Sequence, residues 1–348
     1  MPSPQAAAPG LAGPTGPRHR LLVARRIFPE VLARLREHAE VLSHDTDEAL
    51  SPAALAERLQ GCRAVFIAGT ERIDAALLDA CPALRFVCSM AVGYNNIDLP
   101  ACTERGVQVS NAPGVLTETT ADFGFALMMA TARRITESER FLRRGEWRHW
   151  SVDLMAGADI HGSTLGILGM GRIGQAIARR GVHGFGMRLA YHNRSRLPEA
   201  DEAALGARYL SKTELLQAAD HLVIVVPYGP ESHHLVGAEE LALMKPGATL
   251  TNIARGGVVD DAALAAALRQ GQLAAAGLDV FEGEPAVHPD LLTVPNVVLT
   301  PHIASASLPT RLAMCQLAAD NLIAGLSGAP LPTALNLEAR QRGRALLG

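Results

Sequence analysis

"TLGILGMGRIGQAIARR", residues 164–180, carries the pattern G-x-G-x-x-G at Gly169–Gly174, set between an apolar run and an amphipathic one. Leu165–Leu168 reads as a buried strand entering the turn, and Gln175–Arg180 as the helix leaving it. The three glycines have separate uses: Gly169 permits the tight turn, Gly171 lets the backbone approach a pyrophosphate, and Gly174 allows close helix–strand packing. Met170, Arg172 and Ile173 complete the turn, and the helix start offers free N–H groups and a partial positive charge to phosphates. A bare structural turn is the alternative; the strand before and the helix after favour a dinucleotide-binding βαβ unit.

Outward from this unit the same rhythm recurs. Strand-like runs "RLLVARRI", "EVLSHD", "AVFIAG" and "RFVCSMAVG" alternate with helical patterns before it, and "RLAYHN", "HLVIVVP", "TLTNIA", "AAAGLDV" and "VVLTPH" follow it. Such alternation predicts an α/β protein with parallel sheets covered by helices on both faces. A long helical stretch, Thr119 to Arg144, interrupts the rhythm and marks the boundary between two Rossmann-like domains. The Pro-, Ala- and Gly-rich residues 1–18 read as a flexible leader.

The strand after the glycine turn should end in Asp or Glu if the ligand is NAD, because a carboxylate accepts from the adenosine ribose hydroxyls. Here it ends in Asn193, Arg194, Ser195 and Arg196. A guanidinium pairs bidentately with phosphate, and Asn and Ser add neutral donors, whereas a carboxylate would repel it. Asn193, Arg194 and Ser195 therefore point to the 2′-phosphate of NADP, with NAD as the second cofactor; Arg196 is equally well read as an exposed loop residue.

Lys and Arg total 32 against 35 Asp and Glu, a net charge of −3, so no basic excess exists to neutralise a nucleic acid. Five cysteines without a C-x-x-C pair argue against a disulfide framework and a zinc knuckle, and no metal site is expected. The apolar run "FGFALMMA" is too short to span a bilayer. These readings imply a cytoplasmic protein that engages neither nucleic acid nor membrane.

Three segments fall at the carboxyl ends of predicted strands, the edge where open parallel sheets bind ligands: "NIARGGVVD", "AGLDVFEGEP" and "LTPHIASAS". Together with "VGYNNID", "NAPGVLTETTAD" and "GMGRIGQAIA", in that family's order, they resemble the D-isomer-specific 2-hydroxyacid dehydrogenases, most closely the glyoxylate/hydroxypyruvate and 2-ketogluconate reductases. The resemblance implies two Rossmann-like domains with the active site in the cleft between them. It implies a discontinuous substrate-binding domain, residues 19–116 and 304–348, around a dinucleotide-binding domain, residues 117–303.

Carried onto this chain, the resemblance nominates Arg255, Glu284 and His302 as the catalytic trio. Arg255 brings a permanent charge and planar donors to the substrate carboxylate and carbonyl. His302 can protonate the product alkoxide, and Glu284 can orient the imidazole and favour its protonated form. By spacing alone Glu282 rivals Glu284. Further cofactor contacts implied are Thr120, Val226, Pro227, Ile253, Ala254, Ala304 and Asp279, the last near the nicotinamide amide or else capping backbone locally. Val92 and Gly93 are nominated for the substrate carboxylate, and Leu116 and Arg311 for the far end of the pocket.

"RRGEWRHW" holds both tryptophans, Trp147 and Trp150. In similar reductases this arm crosses a dimer interface, which implies a homodimer with Trp150 reaching the partner's site; packing against the neighbouring domain is the other reading. The resulting expectation is NADPH-dependent reduction of glyoxylate or hydroxypyruvate to the D-2-hydroxy acid. A 2-ketogluconate reductase and a nucleotide-sensing binding protein are the alternatives.

Overall fold

The computed structural model describes residues 18–345. Most of the expected leader lies outside them. The chain forms two compact units: residues to Pro113 and from Leu312 onward make the first, and Gly114–Arg311 the second.

In the first unit, β1 (Arg20–Val23), β2 (Glu40–Ser43), β3 (Ala64–Ile67), β4 (Phe86–Ser89) and β5 (Gln108–Ser110) form a five-stranded sheet in the order β2-β1-β3-β4-β5. All its pairings are parallel. Val65, Ile67, Val87 and Val109 sit in one core with Leu55, Leu59 and Cys102.

In the second unit, β6 (Thr164–Leu168), β7 (Arg188–His192), β8 (Arg208–Tyr209), β9 (His221–Ile224), β10 (Thr249–Asn252), β11 (Ala275–Leu278) and β12 (Val297–Leu299) form a seven-stranded parallel sheet. The order β12-β11-β10-β9-β6-β7-β8 reverses between β6 and β9. The Gly169 turn leaves β6 at that reversal, where open sheets leave a crevice for ligands.

Period-2 alternation divides the buried strand residues of this sheet between two cores. Leu168, Leu222, Ile224, Leu250 and Leu278 belong to one; Leu165, Ile167, Leu189, Val223 and Val298 belong to the other. Burial on both faces is why β6 and β9 read as largely apolar runs. Gly277 has a packing reason: a Cβ there would lie 2.4 Å from Thr131 Oγ1 and 2.9 Å from Leu127, so the helix Thr117–Ala132 can approach β11 only because the side chain is absent.

One expectation is corrected, and two strands go beyond those expected. The helical stretch from Thr119 to Arg144 is two helices, Thr117–Ala132 and Ile135–Arg143, separated by Arg134 in the left-handed region at φ 53°. Strands β5 and β8, three and two residues long, are too short for the alternation to signal. The closing helix runs Leu308–Leu326.

Candidate active site

The strand register builds the site. Leu168 pairs with His192 and Ile224, Ile224 with Asn252, Asn252 with Leu278, and Leu278 with Leu299. The next residue along each strand therefore leaves the sheet at one level, placing Asn193, Gly169, Val225, Ile253, Asp279 and Thr300 in a row along the carboxyl edge.

At the glycine turn, Gly169 adopts φ 105°, and a Cβ there would stand 2.7 Å from the Val225 carbonyl carbon. A Cβ on Gly174 would lie 2.3 Å from the Gly169 carbonyl oxygen, whereas one on Gly171 would meet nothing within 4 Å. Gly169 and Gly174 are thus required by packing, while Gly171 borders open space in front of the turn. The helix Arg172–Arg179 starts at Gly171 without a side-chain cap, so its first N–H groups face that space. The buried hydroxyl of Thr120 has no hydrogen-bond partner among the described residues. An uncapped helix start, an open cradle and an orphaned hydroxyl fit a nicotinamide dinucleotide.

The Asn193–Arg196 segment divides its labour. Asn193 Oδ1 accepts from the Met170 N–H at 2.7 Å, pinning the glycine turn to the end of β7. Arg194 and Ser195 are exposed. The Arg194 guanidinium lies 3.4 Å from Glu231, a surface pair with both side chains mostly in water. Arg196 is drawn into a structural network: its Nη2 donates to Glu202 at 2.6 Å, and Glu202 also accepts from the buried Tyr191 hydroxyl at 2.5 Å. Arg196 is thus engaged structurally, whereas Arg194 has, among the described residues, only its solvent-exposed pairing with Glu231.

His302 Nδ1 lies 2.8 Å from Glu284 Oε2, and Glu284 Oε1 accepts from the Phe281 N–H at 3.0 Å. Burial pushes the Glu284 carboxyl up, but the hydrogen bond and charge of His302, the Phe281 N–H and the Arg255 charge outweigh it, leaving its pKa below the ordinary value. Burial lowers the pKa of Arg255 from its ordinary value, with Glu284 opposing that effect. Arg255 leaves the end of β10 and donates from Nη1 to the Ala254 carbonyl at 2.7 Å. Glu282, the rival by spacing, turns elsewhere, to His234 Nε2 at 3.0 Å.

Asp279 is fully buried and its carboxylate serves the His302 loop. It accepts from Thr300 Oγ1 at 2.7 Å, from the Ile303 N–H at 2.8 Å and from the Ala304 N–H at 2.8 Å. Asp279 thus caps the backbone of this loop, with the Ala304 N–H among its donors. This clamp surrounds His302, whose φ of 54° is uncommon for a residue with a side chain.

Other nominated residues fall as follows. Ile253 and Ala254 are buried, Val226 is half-buried and Pro227 exposed. Leu116 is buried at the start of the helix Thr117–Ala132, and Arg311 is half-buried in the first turn of the closing helix. Thr119 Oγ1 and Thr310 Oγ1, 2.6 Å apart, tie those two helix starts together. Val92 and Gly93 belong to the first unit, in the turn after β4, where Asn111 Nδ2 donates to the Val92 carbonyl at 2.7 Å. Trp147 and Trp150 are exposed beyond the helix Ile135–Arg143, with Ile135, Leu142 and Val152 also exposed nearby.

Comparison with known proteins agrees with this geometry. Residues 125–304 match the family model described as D-isomer specific 2-hydroxyacid dehydrogenase, NAD binding domain. A glyoxylate reductase of Thermococcus onnurineus is 47% identical over 323 residues, 92% of this chain and 96% of its own. The crystal structure of the TT0316 protein from Thermus thermophilus superposes with a TM-score of 0.84 at 42% identity, covering 91% of this chain and 99% of that one. An NADPH-dependent glyoxylate/hydroxypyruvate reductase from Sinorhizobium meliloti, solved with NADP and malonate, gives a TM-score of 0.81 at 37% identity, covering 93% and 98%. No helix among the described residues is long and apolar enough to cross a membrane. The chain belongs to the D-isomer-specific 2-hydroxyacid dehydrogenase family and is an NAD(P)-dependent dehydrogenase of that kind.

Proposed function

We propose that this protein reduces glyoxylate, with hydroxypyruvate as a second substrate, using NADPH in preference to NADH. The observation that carries the reading is the His302–Glu284 pair beside Arg255 on the carboxyl edge of the sheet. The names of its relatives support the substrate, and the NADP held by the Sinorhizobium meliloti reductase supports the cofactor.

When bound, the reduced cofactor supplies the hydride. Arg255 presents a planar, charged donor set to the 2-oxo acid, binding its carboxylate and polarising the carbonyl oxygen where negative charge develops. Glu284 holds Nδ1 of His302, which leaves Nε2 to deliver a proton to that oxygen. Asp279 fixes the loop from which the imidazole projects. Leu116 and Arg311 bound the space for the substituent on the 2-carbon. Arg194 and Ser195 receive the 2′-phosphate, for which Arg194 exchanges its exposed pairing with Glu231.

The working form is a homodimer. Its support is the run of exposed apolar side chains Ile135, Leu142, Trp147, Trp150 and Val152 on one helix and the segment after it. Cytoplasmic placement rests on five buried cysteines carried as thiols. The test is steady-state oxidation of NADPH and of NADH with glyoxylate, hydroxypyruvate and 2-ketogluconate. Glyoxylate with NADPH should give the highest kcat/KM; faster turnover of 2-ketogluconate would move the substrate assignment, and turnover of none would overturn it.

A further inference from the structure

The loop after β9 carries His233 and His234, and the loop after β11 carries Glu282, two residues before Glu284. One potential ligand atom from each of the three lies within 4.8 Å of the others. In extended backbone, neighbouring side chains point to opposite sides. Here His234 adopts φ 48°, and the two imidazoles stack with centroids 3.9 Å apart and planes 21° from parallel. A left-handed conformation at a residue with a Cβ is strained and concentrates at functional positions.

We infer that His233, His234 and Glu282 form a binding site for a zinc-class divalent cation, separate from the residues that reduce the substrate. The ligand set of two imidazoles and one carboxylate suits Zn²⁺ and its neighbours Ni²⁺ and Cu²⁺ rather than Mg²⁺ or Ca²⁺, which favour oxygen alone. The His233 imidazole already has an orienting partner on its other nitrogen, as metal-bound histidines do. Tyr228 Oη is 3.1 Å from His233 Nδ1, leaving Nε2 for the cation. Asp260 Oδ2 stands 3.7 Å from His234 Nδ1, while His234 Nε2 faces Glu282 Oε2 at 3.0 Å. The cation would replace the proton in that last contact, with small side-chain shifts bringing the three ligands to about 2.0–2.2 Å and water filling the open position. It would tie the β9 loop to the β11 loop. The expectation of no metal rested on local spacing, and His234 and Glu282 are 48 residues apart.

The experiment is isothermal titration of Zn²⁺ into chelator-stripped full-length protein, repeated with His233→Ala and Glu282→Gln, together with visible absorption of the Co²⁺-loaded forms. All three ligands are at the surface, so the variants should fold, which thermal melts would verify. The expected result is stoichiometric binding by the wild type, at least about tenfold weaker binding in each variant, and a Co²⁺ spectrum altered in both. No stoichiometric binding by the wild type, or equal affinity in folded variants, would overturn the site.

Discussion

Nδ1 of His302 sits 2.8 Å from Oε2 of Glu284, and the carboxylate is held from its other oxygen by the Phe281 N–H. The imidazole is thereby fixed in the orientation that turns Nε2 outward. Glu284→Gln keeps the shape and removes the charge. It should lower kcat by about tenfold, the difference between a charge-assisted and a neutral hydrogen bond.

The same carboxylate sets a pH dependence. Burial opposes ionisation of Glu284, but His302, the Phe281 N–H and Arg255 prevail and hold its pKa below the ordinary value. A depressed folded pKa means that folding favours the ionised form. The resulting stability is complete above the unfolded carboxylate pKa and is lost as pH falls through the lower folded one. The stability gap between wild type and Glu284→Gln, from chemical denaturation, should therefore be constant near neutrality and shrink in acid below the ordinary carboxylate range. A gap that widened in acid would contradict the sign.

Asp279 and the loop it clamps give a third prediction. Asp279→Asn sets an amide N–H against a loop that offers the carboxylate two N–H groups and a hydroxyl. A buried donor left unsatisfied costs about 1–3 kcal/mol. The variant should lose stability on that scale and also lose kcat, because His302 moves with the loop. Full stability with lost NADPH affinity would instead assign Asp279 to the cofactor.

Arg194 decides the cofactor. Arg194→Asp replaces a phosphate donor with a charge that repels phosphate and suits ribose hydroxyls. KM for NADPH should rise about a hundredfold, while KM for NADH stays within about threefold or falls. An equal loss for both would refute the 2′-phosphate assignment. Arg196→Ala should do the opposite, costing stability by taking the cation from buried Glu202 and leaving the cofactor ratio unaltered.

Much of the fold was legible because both sheets are buried on two faces, so β3, β6 and β9 read as largely apolar runs. The glycine turn was legible because its spacing is a known pattern, and Gly169 and Gly174 each answer a separate steric demand. Contacts joining distant segments were not. Nothing local to Asn193 says that its side chain holds the Met170 N–H, nor does anything near Asp279 point to the Ile303 and Ala304 N–H groups. Glu282 and Glu284 were equivalent by spacing until one turned to His234 and the other to His302. The break at Arg134 was hidden because a single left-handed residue leaves no periodicity signal.

Proton delivery by His302 is tested most directly by kcat for glyoxylate reduction with saturating NADPH in wild type and His302→Ala. The expected result is a decrease of about 10²–10⁴-fold with NADPH affinity retained, since the imidazole is the general acid and is not part of the dinucleotide cradle. An unchanged kcat in the folded variant would contradict the assignment.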